Sequence, residues 1–304
     1  MTDIDSGIYA GVRRVSANGI ELAYETFGEP GNPPVLLIMG LGTQMIAWPE
    51  EFCEDIASRG YYVIRFDNRD SGLSTHVHGL RASHPVAAYF RRGKPAYTLD
   101  DMADDTVGLM DALGLDTVHL VGVSMGGFIA QTLAVAHPER LRSLTLMMTS
   151  TGSKLVGYAK PKLILNVLRR RSVTTREEAM DMAVDTFRMI GSRGYKVDDA
   201  RIRDVAGRSF DRGHDPAGYL RQLDAVISQP DRTDKLRKLD VPTLVMHGRI
   251  DPLVVWSGGK ALAKTIPGAK LHVFPGMGHD MPRELWPRFA EEICALAATA
   301  DASP

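Results

Sequence analysis

Val121-Gly122-Val123-Ser124-Met125-Gly126-Gly127 closes one kind of structure and opens another. Upstream, His119-Leu-Val-Gly-Val123 is an apolar run of strand length, and downstream, Met125 through His137 is a helix-length segment stopped by Pro138. Ser124 therefore stands where a strand becomes a helix, on a turn sharp enough to strain its backbone. Gly122 and Gly126 flank it because a side chain at either place would collide with the neighbouring strand or helix. The turn also sets the serine at a helix N-terminus, where backbone N–H groups and the helix dipole favour the negative charge that builds during acyl transfer. Glycine and serine are common, so Gly-x-Ser-x-Gly alone decides little. The strand before it and the helix after it make it a nucleophile elbow.

Outward from the elbow, strand and helix alternate. Gly11 to Gly28 reads as a β-hairpin split by Asn18-Gly19. Val35-Leu-Leu-Ile-Met39 is apolar throughout, as a central strand buried on both faces must be, and it delivers Gly40-Leu41-Gly42. Trp48 to Ser58 reads as helix, Tyr61 to Phe66 as strand, Asp67 to Ser74 as loop, and Thr98 to Leu113 as helix. Leu141 to Met148 is the strand after the elbow helix. From about Thr151 to Arg237 no buried-strand run occurs, and helix formers and Met dominate. The pattern resumes with the strand Val241–Met246, the helix Trp256–Thr265, the strand Lys270–Phe274 and a final helix Arg283–Ala298. The expected architecture is an α/β fold with a mostly parallel, doubly wound sheet. Residues 1–150 and 238–304 form its core and 151–237 a helical lid inserted over the sheet.

With 304 residues the chain can bury a sizeable core. Its 44% hydrophobic and 24% charged content, at a net charge of -1, suits a soluble globular protein and gives no electrostatic reason to bind nucleic acid or an anionic membrane. Met1-Thr-Asp-Ile-Asp-Ser6 lacks a signal-peptide pattern, and no apolar run approaches the roughly 20 residues of a bilayer crossing. A cytoplasmic location follows as an expectation. Cys53 and Cys294 lie on apolar helical stripes without ligand-spaced neighbours, so they read as buried thiols rather than a disulfide or zinc site. Arg169-Arg170-Arg171, beside Glu177, Glu178, Asp181 and Asp185, reads as a solvated helix face rather than an anion site.

A serine hydroxyl is a weak nucleophile near neutral pH and needs a base within hydrogen-bond reach and a carboxylate to fix that base's tautomer. Gly276-Met-Gly-His279 follows the last strand, where a flexible glycine-rich loop could swing an imidazole over the elbow, so His279 is the candidate base. The competing reading makes it a cap for the helix near Arg283. Asp251 leaves the preceding strand on a turn fixed by Pro252, giving the chain order Ser, acid, His, and is the candidate acid; otherwise it is a turn or N-cap residue. His247 comes before the acid loop and reads as a backbone-supporting residue. The backbone N–H groups of Leu41 and Met125 are the candidate oxyanion hole. No metal or organic cofactor is called for.

Gly122-x-Ser124-x-Gly126-Gly127, Met39-Gly-Leu-Gly42, Asp67-x-Arg69-Asp-x-Gly72-x-Ser74, Gly248-x-x-Asp251-Pro252 and Gly276-Met-Gly-His279 together resemble the α/β-hydrolase superfamily over nearly the whole chain. The Asn68-Arg-Asp-Ser-Gly-Leu-Ser74 loop, Ala47-Trp-Pro-Glu-Glu-Phe52 and Gly-Met-Gly-His resemble its aclacinomycin-methylesterase-like esterases. Met39, where many relatives carry His, and Asp70, where many carry Gly, both resemble that subgroup. The resemblance implies a serine hydrolase of a small-molecule carboxylic ester acting through an acyl-enzyme. Thioesterases, C–C bond hydrolases, iminopeptidases and haloperoxidases share the same three side chains, and hydrolase-like receptors share the fold without turnover; these stay open. Asp67 and Arg69 read as a loop-bracing ion pair or hydrogen-bond network. Met180, Met182, Met189, Leu163, Leu165, Val167, Phe187 and Tyr219 are candidates to face an apolar pocket. A homodimer is left open.

Overall fold

The computed structural model describes residues 11–83, 88, 93–157, 159 and 173–302. The hairpin forms where Asn18-Gly19 can take positive φ, joining β1 (Arg13–Ala17) to β2 (Ile20–Phe27). β3 (Pro34–Ile38) is followed by α1 (Glu50–Ser58) and β4 (Tyr62–Phe66). The helix starts at Glu50 and not at Trp48 because Pro49 disfavours helical backbone before it and sits at the N-cap itself. α2 (Leu99–Ala112) opens on a capping box in which Thr98 and Asp101 satisfy each other's backbone N–H groups. β5 (Val118–Val123), α3 (Met125–Ala136) and β6 (Leu141–Met147) complete the elbow unit.

Between β6 and the next strand lie α4 (Arg176–Ile190), α5 (Asp199–Arg212), α6 (Pro216–Ser228) and the short α7 (Thr233–Leu236). β7 runs from Thr243 to Gly248, so His247 lies inside the strand and Pro242, lacking an N–H, precedes it. α8 (Ser257–Thr265), β8 (Lys270–Phe274) and α9 (Trp286–Asp301) end the chain, with Arg283–Leu285 a single 3-10 turn before α9. Leu163, Leu165, Val167, the Arg169–Arg171 run and Met1–Ser6 lie outside the described residues.

The eight strands form one sheet in the order β1-β2-β4-β3-β5-β6-β7-β8. β1, β2 and β4 pair antiparallel and every other pair is parallel. Alternation along β3 feeds two cores: Leu36 and Ile38 join Met125, Ile129 and Leu133 of α3 on one face, while Val35 and Leu37 join Phe52 and Ile56 of α1 and Phe289 and Ile293 of α9 on the other. The central strands therefore deliver their C-terminal ends, and the loops that follow them, to one edge of the sheet. Among the described residues no helix is long and apolar enough to cross a membrane.

Candidate active site

Ser124 sits at φ 55° and ψ −115°, the strained turn its neighbours predict. A Cβ on Gly122 would lie 2.3 Å from the Gly126 carbonyl oxygen, and one on Gly126 only 2.2 Å from that of Ile38. The elbow thus depends on backbone meeting backbone. Its N–H donates to Met147 O at 2.9 Å, pinning the nucleophile to the adjacent strand.

His279 Nε2 lies 3.0 Å from Ser124 Oγ, and His279 Nδ1 lies 2.7 Å from Asp251 Oδ2. A neutral imidazole carrying its proton on Nδ1 toward the carboxylate leaves the Nε2 lone pair for the serine hydroxyl. The other Asp251 oxygen accepts the N–H groups of Leu253 and Val254 at 2.8 and 2.9 Å, so the carboxylate is held from both sides. Asp251 is therefore a turn residue as well as the partner of His279. His247, fully buried, places Nε2 2.8 Å from Val254 O. Because a carbonyl only accepts, Nε2 carries the proton and His247 braces the same turn. Burial pushes its pKa below the usual imidazole value, against the pull of the Asp251 charge.

The glycines near His279 do not serve to let it swing. A Cβ on Gly278 would meet Gly191 O at 2.4 Å, and one on Gly194 would meet Gly276 Cα at 2.7 Å. The turn after α4 packs backbone-on-backbone against the histidine loop. His279 N–H donates to Ile190 O at 2.8 Å, Gly194 N–H to Gly276 O at 2.9 Å, and Gly278 N–H to Ser192 Oγ at 2.9 Å. Ser192 in turn donates to Asp280 Oδ1. The expectation of a loop free to swing is corrected: close packing explains these glycines, together with the left-handed φ of 72° at Gly276.

On the opposite side, Gly40 approaches Ser124 so closely that a Cβ there would lie 3.3 Å from the serine Cβ. Met125 occupies the first turn of α3, where N–H groups lack intrahelical acceptors. Gly42 N–H is taken by Gln222 Oε1 and Thr43 N–H by Gly40 O, while no acceptor among the described residues holds Leu41 N–H. Met125 follows the serine directly, and Leu41 follows the Gly40 that packs against it.

Asp67 and Arg69 are not each other's partners. Asp67 pairs with Arg212 of α5 at 2.6 Å, and Arg69 with Asp105 of α2 at 2.6 Å. Asp70 holds φ 62°, unusual for a residue with a Cβ but tolerated by Asp. Its carboxylate receives both Arg221 guanidinium bonds at 2.7 Å, the Tyr97 hydroxyl at 2.6 Å and Val77 N–H at 2.7 Å. Asp70, His76 and Asp215 have donor atoms close enough for a cation, yet Arg221 already bridges Asp70 and Asp215, at 2.7 and 3.0 Å. A guanidinium fills that role. Of the candidate pocket residues, Tyr219 lies against Gly42, whereas Phe187 faces solvent. No sequence signal marks Ser192, Arg212, Arg221 or Gln222, whose partners lie far along the chain.

The family model for the alpha/beta hydrolase fold matches residues 33–181. Rhodomycin D methylesterase of Streptomyces sp. is 30% identical over 93% of this chain and 97% of its own. The chain belongs to the α/β-hydrolase family. The 2-hydroxymuconate semialdehyde hydrolase of Pseudomonas sp. is 32% identical over 89% of this chain and 88% of its own. A thermophilic esterase from Thermogutta terrifontis superposes with a TM-score of 0.72 at 26% identity, covering 95% and 99% of the two chains. Within the family this α/β-hydrolase is a serine-dependent hydrolase of carboxylic esters.

Proposed function

We propose that this hydrolase cleaves the methyl ester of an apolar carboxylic acid, with Ser124 as nucleophile, His279 as base and Asp251 as its orienting carboxylate. The observation that carries the reading is the continuous relay from Asp251 Oδ2 through His279 to Ser124 Oγ, at 2.7 and 3.0 Å. Ser124 Oγ attacks the ester carbonyl while His279 Nε2 takes the hydroxyl proton, and Asp251 stabilises the imidazolium. The carbonyl oxygen becomes an oxyanion held by the N–H groups of Leu41 and Met125. Collapse breaks the ester C–O bond, and His279 returns the proton to the departing methanol. Water then attacks the acyl-enzyme with His279 again as base, releasing the acid and restoring Ser124.

Methanol as the leaving group draws its support from the methylesterase relative. The helices between β6 and β7 serve in this reading as the lid that shapes the acyl site, with the core in residues 1–150 and 238–304. The test is methanol release from a panel of aryl and polycyclic methyl esters. Faster turnover of methyl than of butyl esters of one acid is expected, and the reverse order would refute the methyl preference.

A second reading is favoured by the 32% identity to the 2-hydroxymuconate semialdehyde hydrolase, which would direct the same relay to a C–C bond. Decay of a dienone ring-fission chromophore at a rate exceeding ester turnover would select it.

A further inference from the structure

We infer that Gln222 is a positioning residue for the oxyanion loop, acting through the Gly42 amide to hold the Leu41 N–H in place. The inference rests on the reading of Ser124 and Leu41 given above. Gln222 lies on α6, 180 residues from Gly42 in sequence, and is 1% exposed. Its Oε1 accepts Gly42 N–H at 2.8 Å, and its Nε2 donates to Arg69 O at 2.7 Å. The side-chain amide has one orientation here. Turned over, it would set NH2 against an N–H and C=O against a carbonyl.

The loop it grips is short and held at both ends. Asn68 Nδ2 donates to Met39 O at 3.1 Å on the upstream side, and a turn closes from Thr43 N–H to Gly40 O at 3.3 Å. Inside that turn Gly42 takes φ 62°, and Thr43 Oγ1 donates to Leu41 O at 3.1 Å. Ser71 Oγ donates to Thr43 O at 3.2 Å, and Gln222 fixes the N–H end of the Leu41–Gly42 peptide while Thr43 holds its carbonyl end. One turn of helix away, the Tyr219 ring lies where a Gly42 Cβ would stand, 2.4 Å from its nearest carbon. Both Gln222 bonds reach backbone in the loops after β3 and β4, so a single side chain locks one loop to the other beside Ser124.

An oxyanion donor accelerates the reaction because it is already in place when charge develops and needs no reorganisation. Loosening the loop therefore acts on the transition state more than on substrate binding, and the signature is a fall in kcat at nearly constant KM. Gln222→Met keeps the volume and removes both bonds. Gln222→Glu keeps an acceptor for Gly42 N–H, but when ionised it sets a bare oxygen against Arg69 O, and only its protonated form reproduces the donor. Its activity relative to the parent enzyme should therefore rise as pH falls.

The test measures kcat and KM for a short-chain p-nitrophenyl ester, inhibition by a trifluoromethyl ketone that forms a tetrahedral oxyanion adduct, and thermal melting. Losing a whole oxyanion donor typically costs about 10²–10³ in kcat, so for Gln222→Met we expect a loss of about 10- to 100-fold, with KM within about twofold. Trifluoromethyl ketone affinity should weaken in parallel with kcat/KM. For Gln222→Glu the ratio of kcat to that of the parent should climb toward one between neutral and acid pH. Parent-like kcat and ketone affinity in a folded Gln222→Met would overturn the inference. Should that variant fail to fold, Gln222→Glu decides: a pH-independent ratio would overturn it equally. A parent enzyme that hydrolyses no ester and takes up no fluorophosphonate removes the reading of the site itself, whereas an active parent beside an equally active Gln222→Met removes only the role of Gln222.

Discussion

The mostly parallel sheet and the helices between β6 and β7 meet around Ser124 and His279 but are held by different physics. Around the sheet, contact is dry: Val35, Leu36, Leu37 and Ile38 are fully buried, and the elbow fits because glycines let strand and helix backbones meet. The helices from Arg176 to Leu236 send few apolar side chains into the core: Val184 is the buried residue of α4, Ala225 lies beside buried Arg221, Gln222 and Asp224 on α6, and Leu236 is fully buried on α7. They are tied on by ions and amides, through Arg212 to Asp67, Arg221 to Asp70, and Gln222 to Gly42 and Arg69. The sheet sets where Ser124 stands. The helices set how firmly the loops on either side of it are held.

The largest effect that would break this contrast is steric. Gly126→Ala would place a Cβ 2.2 Å from a backbone oxygen that cannot yield, so we expect a destabilisation beyond about 4 kcal/mol, measured by chemical denaturation. A folded, active variant would mean that the elbow is looser than its geometry.

Next comes the buried ion pair. Arg221→Met leaves the Asp70 carboxylate buried without its guanidinium and should cost about 3–5 kcal/mol. Adding Asp70→Asn should restore much of that loss, because the penalty comes from the orphaned charge. Ile38→Ala, by contrast, should cost about 2–5 kcal/mol through lost burial and a cavity, and no second polar change should rescue it. Equal rescue in both regions, read by denaturant midpoints, would erase the distinction.

Acid acts from the sheet side, because two buried histidines sit inside strands. Burial lowers the pKa of His119, against the opposing charge of Asp301, and likewise that of His247. With the folded value below the unfolded one, the unfolded chain binds the proton first. Their contribution is complete above the ordinary imidazole value of about 6.5 and is lost as pH falls from there toward the lowered folded values. Melting curves from pH 7.5 down to 5.5 should show this slope, and His119→Gln should flatten it. The smallest effect belongs to the surface: Arg208→Ala, removing exposed contacts from α5 to Glu50, should cost less than about 1 kcal/mol.

What could be read from the chain follows the same division. Ser124, Gly122 and Gly126 were legible because the elbow is contiguous, and Asp251 and His279 because strand order places them at successive strand ends. The strand boundaries drifted where Pro242 interrupted an apolar run, and the final helix begins at Trp286, with Pro287 in its first turn, after a separate 3-10 turn over Arg283–Leu285. Arg212, Arg221 and Gln222 were illegible, since their partners lie 145 to 180 residues away and ordinary helix composition surrounds them. Gly276 and Gly278 were visible but suggested a swinging loop where the fold uses them for close contact and, at Gly276, for a left-handed turn. Asp67 and Arg69 looked like partners only because they are close in sequence.

The most direct test of the central claim is intact-protein mass spectrometry after exposure to a fluorophosphonate, on the parent enzyme and on Ser124→Ala. One adduct is expected on the parent and none on the variant, with a fall in ester kcat of about 10⁶ when the serine is removed. No adduct on well-folded parent protein, or an adduct that persists in Ser124→Ala, would contradict it.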